Sequence, residues 1–188
     1  ALLEYLLRQS GGLFDVTKTA SAVGISRPTV ESHLQALQVT QVVTLLRPFH
    51  GGSQKEITRM PRLYCFDTGF VSQARGWNPL RPADCGLLWE HLVLERLQAY
   101  LPDFHLHYWR DKTGREVDFV VVRNREQVDT IECKWDPSEF DAAGLKAFRA
   151  LYPKGVNYLV SPLTVPSYFK QAGDLEINVC DPSGIPSK

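Results

Sequence analysis

Residues 116–135 read EVDFVVVRNREQVDTIECKW, and this stretch carries the strongest structural and chemical signal in the chain. Two stretches rich in β-branched and aromatic residues, 117–122 and 128–135, flank the polar segment Arg123-Asn-Arg-Glu-Gln127. β-Branched and aromatic residues on both sides of a polar turn are typical of a β-hairpin. We therefore predict two antiparallel strands with the turn centred near Arg125.

Two carboxylates meet on this predicted hairpin. Alternate residues of a strand share a face, so Glu132 and Lys134 lie on one face of the second strand. A turn centred near Arg125 sets Asp118 opposite Glu132 and Glu116 opposite Lys134, with opposed Cβ atoms about 4.5–5.5 Å apart. Two carboxylates at that distance repel each other unless a cation or a proton lies between them.

A divalent cation would relieve this repulsion. Carboxylate oxygens, completed by water and phosphate, are the ligands that Mg²⁺ prefers, so we predict Mg²⁺ or Mn²⁺ bound by Asp118 and Glu132. Lys134 would place a positive charge beside the ion, aimed at a phosphate oxygen or an attacking water. The alternative is an exposed hairpin face with a cross-strand ion pair.

The surrounding residues predict a mixed α/β domain. The apolar pattern from Gly86 predicts a helix, residues 104–109 a strand, and residues 140–151 a helix that ends at Pro153. Residues 156–160 and 175–179 predict later strands.

The first third of the chain has a different pattern. Leucines at helical spacing are followed by two short helices about a turn at Gly24, with Ser26 as an N-cap, which is typical of a helix-turn-helix. Residues 42–47 and 57–64 flank Gly51-Gly52 and predict a hairpin that would form a wing. The predicted DNA-contacting residues are Arg27, Thr29 and Ser32 on the recognition helix and Lys55 and Arg59 on the wing. A helix-turn-helix used only for protein packing remains an alternative.

Composition excludes several classes of protein. The chain has 188 residues, no net charge and 44% hydrophobic residues, which argues against disorder and against a disulfide-rich mini-protein. Residues 1–63 carry seven basic and four acidic side chains, so the neutral total hides a basic first part and an acidic remainder. Scattered cysteines without a C-x-x-C pair, and the lack of a leader or a long apolar run, predict a cytoplasmic protein without a membrane anchor.

We predict three segments from these patterns. Residues 1–66 form a winged helix-turn-helix domain, residues 67–85 a connecting segment rich in Gly and Pro, and residues 86–188 an α/β domain. The first residue already lies within a helical pattern, so we expect a fragment of a longer protein.

The α/β segment resembles the PD-(D/E)xK nuclease superfamily. The family pattern is an Asp on one strand, Glu-x-Lys on the next and a Glu on the preceding helix, and here Asp118 and Glu132-Cys-Lys134 match it. The resemblance implies an αβββαβ restriction-endonuclease-like fold with these residues and Glu90 as catalytic groups. Val117 stands where the motif has a leading proline. Glu95 is the rival helix acid, but it is rotated by about 140° from Glu90, so both cannot face one site and Glu90 is preferred.

A wider resemblance covers nearly the whole chain. It is carried by three segments: Arg62-Leu-Tyr-Cys-Phe-Asp-Thr-Gly69, Gly86-Leu-Leu-Trp-Glu-His-Leu-Val93 and Tyr108-Trp-Arg-Asp-Lys-Thr-Gly-Arg-Glu-Val-Asp-Phe119. They are similar to the C-terminal part of a family of prokaryotic AAA+-type ATPases, in which an ATPase core precedes a winged helix and a nuclease-like domain. The resemblance implies an N-terminal ATPase domain as a partner. This chain has no G-x-x-x-x-G-K-[ST] motif, so we expect no ATP site in it.

Other polar residues are open to two interpretations. Arg110, Lys112 and Arg115 could form a phosphate-binding rim or a solvated turn. His105 and His107 alternate on one strand and could bind zinc, but no third ligand is evident, and a polar outer face is the alternative.

The sequence thus predicts a metal-dependent nuclease-like domain beside a DNA-binding domain, with DNA as the partner. The competing hypotheses are an inactive nuclease fold that binds DNA or protein within an ATPase, and a module that only docks a partner. A homo-oligomer is also an open expectation.

Overall fold

The structure is a computed structural model that describes residues 1–51, 60–102, 104–162 and 166–186. It is a mixed α/β fold, with six α-helices and two sheets in these ranges. The described chain divides into two compact units. Unit 1 comprises residues 1–47 and 60–91, and unit 2 comprises residues 48–51 and 92–186. None of the helices in these ranges has the length and apolarity needed to cross a bilayer.

Unit 1 begins with three helices, of which the second and third start at side-chain caps. Asp15 caps the second helix by accepting from the backbone of Thr17 and Lys18, and Gly24 ends that helix at φ +74°. Ser26 caps the third helix by accepting from the Thr29 N–H. The turn at Gly24 and the Ser26 cap are those expected from the sequence. The helices are α1 (Leu2–Gln9), α2 (Val16–Val23) and α3 (Arg27–Val39).

A short antiparallel sheet follows. Strand β1 (Val43–Leu46) pairs with β2 (Arg62–Cys65), as expected for the two arms of a hairpin. The predicted second arm began at residue 57, but residues 52–59 lie outside the described residues. Apolar side chains of the helices and both strands form one buried core, which includes Leu6, Phe14, Val30, Leu34, Val43 and Leu63.

Residues 48–51 do not continue the predicted hairpin. They belong to unit 2, where the Phe49 N–H donates to the Tyr108 carbonyl at 2.6 Å and the Gly51 N–H donates to the Tyr152 hydroxyl at 3.1 Å. The Phe49 ring packs against Phe148 and Tyr152. Partial burial of this aromatic ring stabilises the segment against unit 2.

The predicted connecting segment, residues 67–85, contains helical structure. Asp67 caps helix α4 (Thr68–Arg75) by accepting from two backbone N–H groups, and Gly76 ends it at φ +70°. The next helix, α5 (Pro82–Tyr100), begins four residues before the predicted start at Gly86. A proline suits the first turn of a helix, and the Asp84 carboxylate accepts from the Arg81 backbone there. The boundary between the units falls within α5, after His91, rather than in residues 67–85.

Unit 2 is built on a six-stranded mixed sheet. Its strands are β3 (His105–Arg110), β4 (Glu116–Val122), β5 (Val128–Cys133), β6 (Asn157–Val160), β7 (Tyr168–Ala172) and β8 (Leu175–Cys180). Their order in the sheet is β3-β4-β5-β6-β8-β7. The pairs β3–β4, β4–β5 and β8–β7 are antiparallel, whereas β5–β6 and β6–β8 are parallel. Helix α6 (Ala143–Arg149) connects β5 to β6, as a parallel pair requires.

The edge strand β7 was not expected from the sequence. All its side chains are exposed or half-buried, and Tyr168 and Phe169 are among the exposed ones. Its sequence therefore lacks the alternation of apolar and polar residues that would predict a strand. The predicted helix over residues 140–151 is shorter, since a 3₁₀ turn over Pro137–Glu139 precedes it.

Helix α6 packs closely on β4. A Cβ atom built on Gly144 would lie 2.1 Å from the Glu116 carbonyl oxygen, so only glycine permits this approach. Phe148 and Leu145 anchor the helix in two apolar clusters over the sheet. This packing positions the strand that carries Asp118.

Candidate functional site

The central hairpin has the predicted register. Phe119 pairs with Ile131 and Val122 pairs with Val128, so the turn is centred on Arg125. The same register, extended by one residue, sets Asp118 opposite Glu132. This prediction succeeded because a period-two pattern and a turn of defined length specify strand register locally.

Backbone contacts hold Asp118 at the end of this hairpin. Its Oδ2 atom accepts a hydrogen bond from the Cys133 N–H at 2.9 Å. The Lys134 N–H donates in turn to the Val160 carbonyl at 3.1 Å, which ties the end of β5 to β6. The carboxylate and the Glu-x-Lys tripeptide are therefore fixed to rigid strands rather than to a loop.

Burial makes the two carboxylates electrostatically costly. Asp118 is 8% exposed and Glu132 is 6% exposed. Burial raises the pKa of the Glu132 carboxyl well above its usual range, and the neighbouring Asp118 carboxylate raises it further. The Lys134 ammonium opposes this pKa shift, whereas Glu116 adds a smaller contribution in the same direction as Asp118. Such a pair favours a shared proton or a bound cation.

The donor set fits a hard divalent cation that keeps water ligands. Within the described ranges there is no group of three or more His, Cys, Asp or Glu side chains placed to hold a metal ion. Asp118 and Glu132 thus offer two carboxylates. Mg²⁺ is commonly bound by one or two carboxylates together with substrate phosphates and water. His105 and His107 lie on β3, and the described residues supply no third ligand for the zinc interpretation.

Glu90 lies on the part of α5 that belongs to unit 1. The Arg62 Nη1 atom donates to its Oε1 atom at 2.9 Å, and the Tyr64 hydroxyl donates to the same oxygen. Arg62 and Tyr64 are 6% and 2% exposed, so this cluster is buried. Burial first, and then the Glu90 charge, raise the pKa of the Tyr64 hydroxyl well above its usual value. The rival acid, Glu95, is exposed.

Sequence reasoning missed the partners of Glu90. The segment Arg62-Leu-Tyr64 places two polar side chains at alternate positions of a strand whose residues are all buried. An arginine on an otherwise apolar strand was the available signal. A buried arginine requires an acidic partner, so Arg62 could have indicated that an acid lies close to it. No local pattern identifies which acid it takes, since Glu90 is 28 residues away.

The predicted phosphate rim forms ion pairs within the β3–β4 connection. Arg110 pairs with Glu116 at 3.2 Å, and Arg115 pairs with Asp111 at 2.6 Å. Lys112 is exposed. Asp111 also accepts from the Thr113 N–H and the Arg115 N–H, so it organises the turn. Sequence reasoning missed this role of Asp111, which the Asp-x-Thr-Gly pattern of a turn could have indicated.

The predicted recognition helix is largely exposed. Arg27 forms an exposed ion pair with Glu31 at 2.9 Å. The Thr29 hydroxyl is hydrogen-bonded to the cap residue Ser26 at 2.8 Å, and Ser32 is exposed. Two further predicted DNA contacts, Lys55 and Arg59, lie outside the described residues.

Two family models match the chain. Residues 1–81 match a domain of unknown function (DUF8612), and residues 85–175 match a second domain of unknown function (DUF4143). Each match covers less than half of the chain.

Curated relatives come from mycobacteria. The chain is 32% identical over 120 residues to "Uncharacterized protein Rv2008c" of Mycobacterium tuberculosis and, equally, to "Uncharacterized protein Mb2031c" of Mycobacterium bovis. The matched region covers 62% of this chain and 27% of each relative, so the chain spans about a quarter of the length of these relatives.

One solved structure has a low similarity to this chain. It is a half-complex from a tetradecameric assembly of Thermococcus gammatolerans McrB AAA+ hexamers with bound McrC. The TM-score is 0.37 and the identity 12%, over 99% of this chain and 49% of that chain.

Proposed function

We propose that unit 2 is a PD-(D/E)xK-type domain that hydrolyses DNA phosphodiesters with a divalent cation, and that unit 1 is a winged helix that binds DNA. The observation that carries this proposal is the juxtaposition of buried Asp118 and Glu132, with Lys134 close enough to affect the Glu132 pKa. The order of α5, β3 to β5, α6 and β6 is the order of the αβββαβ core.

The residues would divide the work as follows. Asp118 and Glu132 would hold Mg²⁺ or Mn²⁺, which supplies a positive charge for a phosphate oxygen and lowers the pKa of water. A water oxygen would form the new bond to phosphorus as the water gives up a proton, the bond to the leaving sugar oxygen would break, and the leaving oxygen would take up a proton. Lys134 would stabilise the negative charge that develops on the phosphate.

Cleavage assays on variants test this proposal. Lys134→Ala should bind Mn²⁺ at least as well as the parent chain, because Lys134 is not a ligand. It should cleave plasmid or single-stranded DNA about 10²–10³-fold more slowly, as expected when a group acting mainly in the transition state is removed. Asp118→Ala should lose both Mn²⁺ binding, measured by calorimetry, and cleavage.

Lys146→Ala is the matched control, since Lys146 is an exposed lysine of the same unit outside the carboxylate pair and outside the predicted phosphate rim. Equal cleavage by the parent and Lys134→Ala would assign the activity to another site. If no metal-dependent cleavage occurs, even in the longer protein with its expected ATPase domain, the proposed nuclease activity is excluded.

A second candidate function is a binding module with an inactive nuclease fold. The observation in its favour is that Glu90, the third acid of the predicted set, is held by Arg62 and Tyr64. This candidate predicts DNA binding without cleavage, whereas a module that only docks a protein predicts neither. The ATPase partner is a proposal from the sequence resemblance, and a homo-oligomer is a separate open expectation.

A further inference from the structure

A cavity of about 330 Å³ lies at the turn end of the β4–β5 hairpin in unit 2. This volume is within the range of small-molecule sites, roughly 300–1,000 Å³. Arg123 lines the cavity and directly follows β4, five residues after Asp118. At ~3.3 Å per residue of strand, the two residues are about 16 Å apart along the chain. The cavity is therefore distinct from the carboxylate pair.

Arg123 lines this cavity, and its guanidinium is incompletely satisfied. Its side chain is 9% exposed, its Nε atom donates to Asp129 at 2.7 Å, and its Nη2 atom donates to the Pro186 carbonyl at 2.9 Å. The Phe104 ring covers the guanidinium at 4.6 Å. The buried Nη1 atom has no hydrogen-bond partner among the residues that the structure describes. A buried N–H group without an acceptor is unfavourable, so an acceptor from a ligand would be favoured here.

Tyr158 supplies a second donor to the same cavity. It is 4% exposed and lines the cavity beside Arg123. Burial and the Asp129 charge raise the pKa of this hydroxyl to about 12, so it stays protonated and can donate. The nearly buried Asp129 carboxylate neutralises Arg123, which favours an uncharged acceptor over an anion.

Polar amides and aromatic rings complete the lining. Asn124 and Gln127 are exposed at the rim, where the Asn124 Oδ1 atom accepts from two backbone N–H groups and its NH₂ group remains for a ligand. Phe104 and Tyr158 present aromatic surface to a planar ring. The lining thus combines two buried donors, rim amides and two aromatic rings.

We propose that this cavity binds a nucleobase, with guanine as the best fit. The O6 and N7 atoms of guanine are adjacent acceptors, which match donors from Arg123 and Tyr158. Adenine presents an amino group in place of O6 and so lacks one of these acceptors. The base belongs either to a free nucleoside or to an unpaired position of a nucleic-acid strand.

Calorimetric titration of the full chain with guanosine and adenosine tests the proposal. Guanosine should bind saturably and adenosine roughly tenfold more weakly, because one acceptor is replaced by a donor. Tyr158→Phe keeps the ring, removes the hydroxyl and should weaken guanosine binding by up to about tenfold. Tyr168→Phe, which removes an exposed hydroxyl outside the cavity, should not change it.

The proposal would be overturned by a lack of saturable guanosine binding up to the solubility limit, by equal binding of both nucleosides, or by unchanged guanosine binding in Tyr158→Phe. Asp118→Ala should bind guanosine like the parent, and loss of binding in that variant would place the base at the carboxylate pair instead.

An adenine oligonucleotide with one guanine separates the two sources of the base. Tighter binding of the oligonucleotide than of guanosine supports the proposal with a strand as the source. Equal binding supports it with a free nucleoside as the source.

Discussion

Glu132 combines burial with a like-charged neighbour, and its ionisation should therefore oppose folding when no metal is bound. Its pKa is higher in the folded chain than in the unfolded chain, so the folded state binds more protons. The contribution of Glu132 to stability is complete below the pKa that this carboxyl has in the unfolded chain. It declines as the pH rises from there towards the raised pKa of the folded chain.

Replacing this carboxyl by an amide should therefore stabilise the metal-free protein. We expect Glu132→Gln to have a melting temperature several degrees higher than that of the parent at neutral pH, and to lose the stabilisation that Mn²⁺ gives the parent. Thermal unfolding in chelator and in Mn²⁺ measures both effects. Glu139→Gln, at an exposed position, is the control, and an equal change in both variants would contradict the assignment.

His91 is the second residue whose environment sets a pH dependence. The Ser10 hydroxyl lies 2.6 Å from its Nε2 atom, its Nδ1 atom lies 2.8 Å from the Leu87 carbonyl, and the Cys65 N–H donates to Ser10. Burial is the main reason that the pKa of His91 falls to about 4. The cluster joins the end of α1 to β2 and α5 within unit 1.

Because the folded pKa is depressed, the unfolded chain takes up the proton first on acidification. The contribution of His91 is complete above pH ~6.5 and is lost as the pH falls to about 4, by up to about 3 kcal/mol. Denaturant unfolding of the parent and His91→Gln across this range should therefore show a difference in unfolding free energy that shrinks at low pH. His33→Gln, at an exposed position, should show a constant difference, and a pH-independent result for His91→Gln would refute this account.

At the scale of elements, the connection from α6 to β6 depends on one buried arginine. Arg149 is 6% exposed and donates to the carbonyls of Val128, Lys154 and Val156 and to the Asn157 side chain at 2.6–3.0 Å. Burial lowers its pKa to about 10, so it remains charged at neutral pH. The guanidinium thus satisfies backbone groups that helix and sheet leave unpaired.

Removing this arginine should leave several buried carbonyl groups without donors. We expect Arg149→Met to lower the free energy of unfolding by about 3–5 kcal/mol, measured by denaturant titration. Arg125→Met, at an exposed position in the β4–β5 turn, is a control of the same chemistry and should change stability by less than about 0.5 kcal/mol. A small effect of Arg149→Met would mean that water replaces the guanidinium.

At the scale of the whole molecule, DNA binding should depend on α3 of unit 1. Arg27 is exposed on α3 and pairs with Glu31, while Arg8 is exposed on α1 and pairs with Glu4 in the same i,i+4 arrangement. The two arginines therefore form a matched test and control.

We expect Arg27→Ala to weaken duplex DNA binding and to reduce the slope of log K against log salt by about 1, because one phosphate contact is lost. Arg8→Ala should leave both unchanged. Fluorescence anisotropy over a salt series measures the slopes, and equal losses for both variants would show that net charge rather than the helix determines binding.

The sequence by itself determined the elements whose patterns are local. The caps of α2 and α3 depend on residues within three positions of Asp15 and Ser26, and the β4–β5 register depends on alternation about one turn. Local hydrogen bonds and period-two burial operate over a few residues, so short segments encode them. For that reason the opposition of Asp118 and Glu132 could be predicted.

The tertiary structure alone decided the features that join distant segments. It placed Glu90 against Arg62 and Tyr64, moved residues 48–51 to unit 2, and added the exposed edge strand β7. Each depends on which buried charge, aromatic ring or strand edge finds a partner many residues away. No local pattern carries that information, because burial and pairing energies are set by the whole fold.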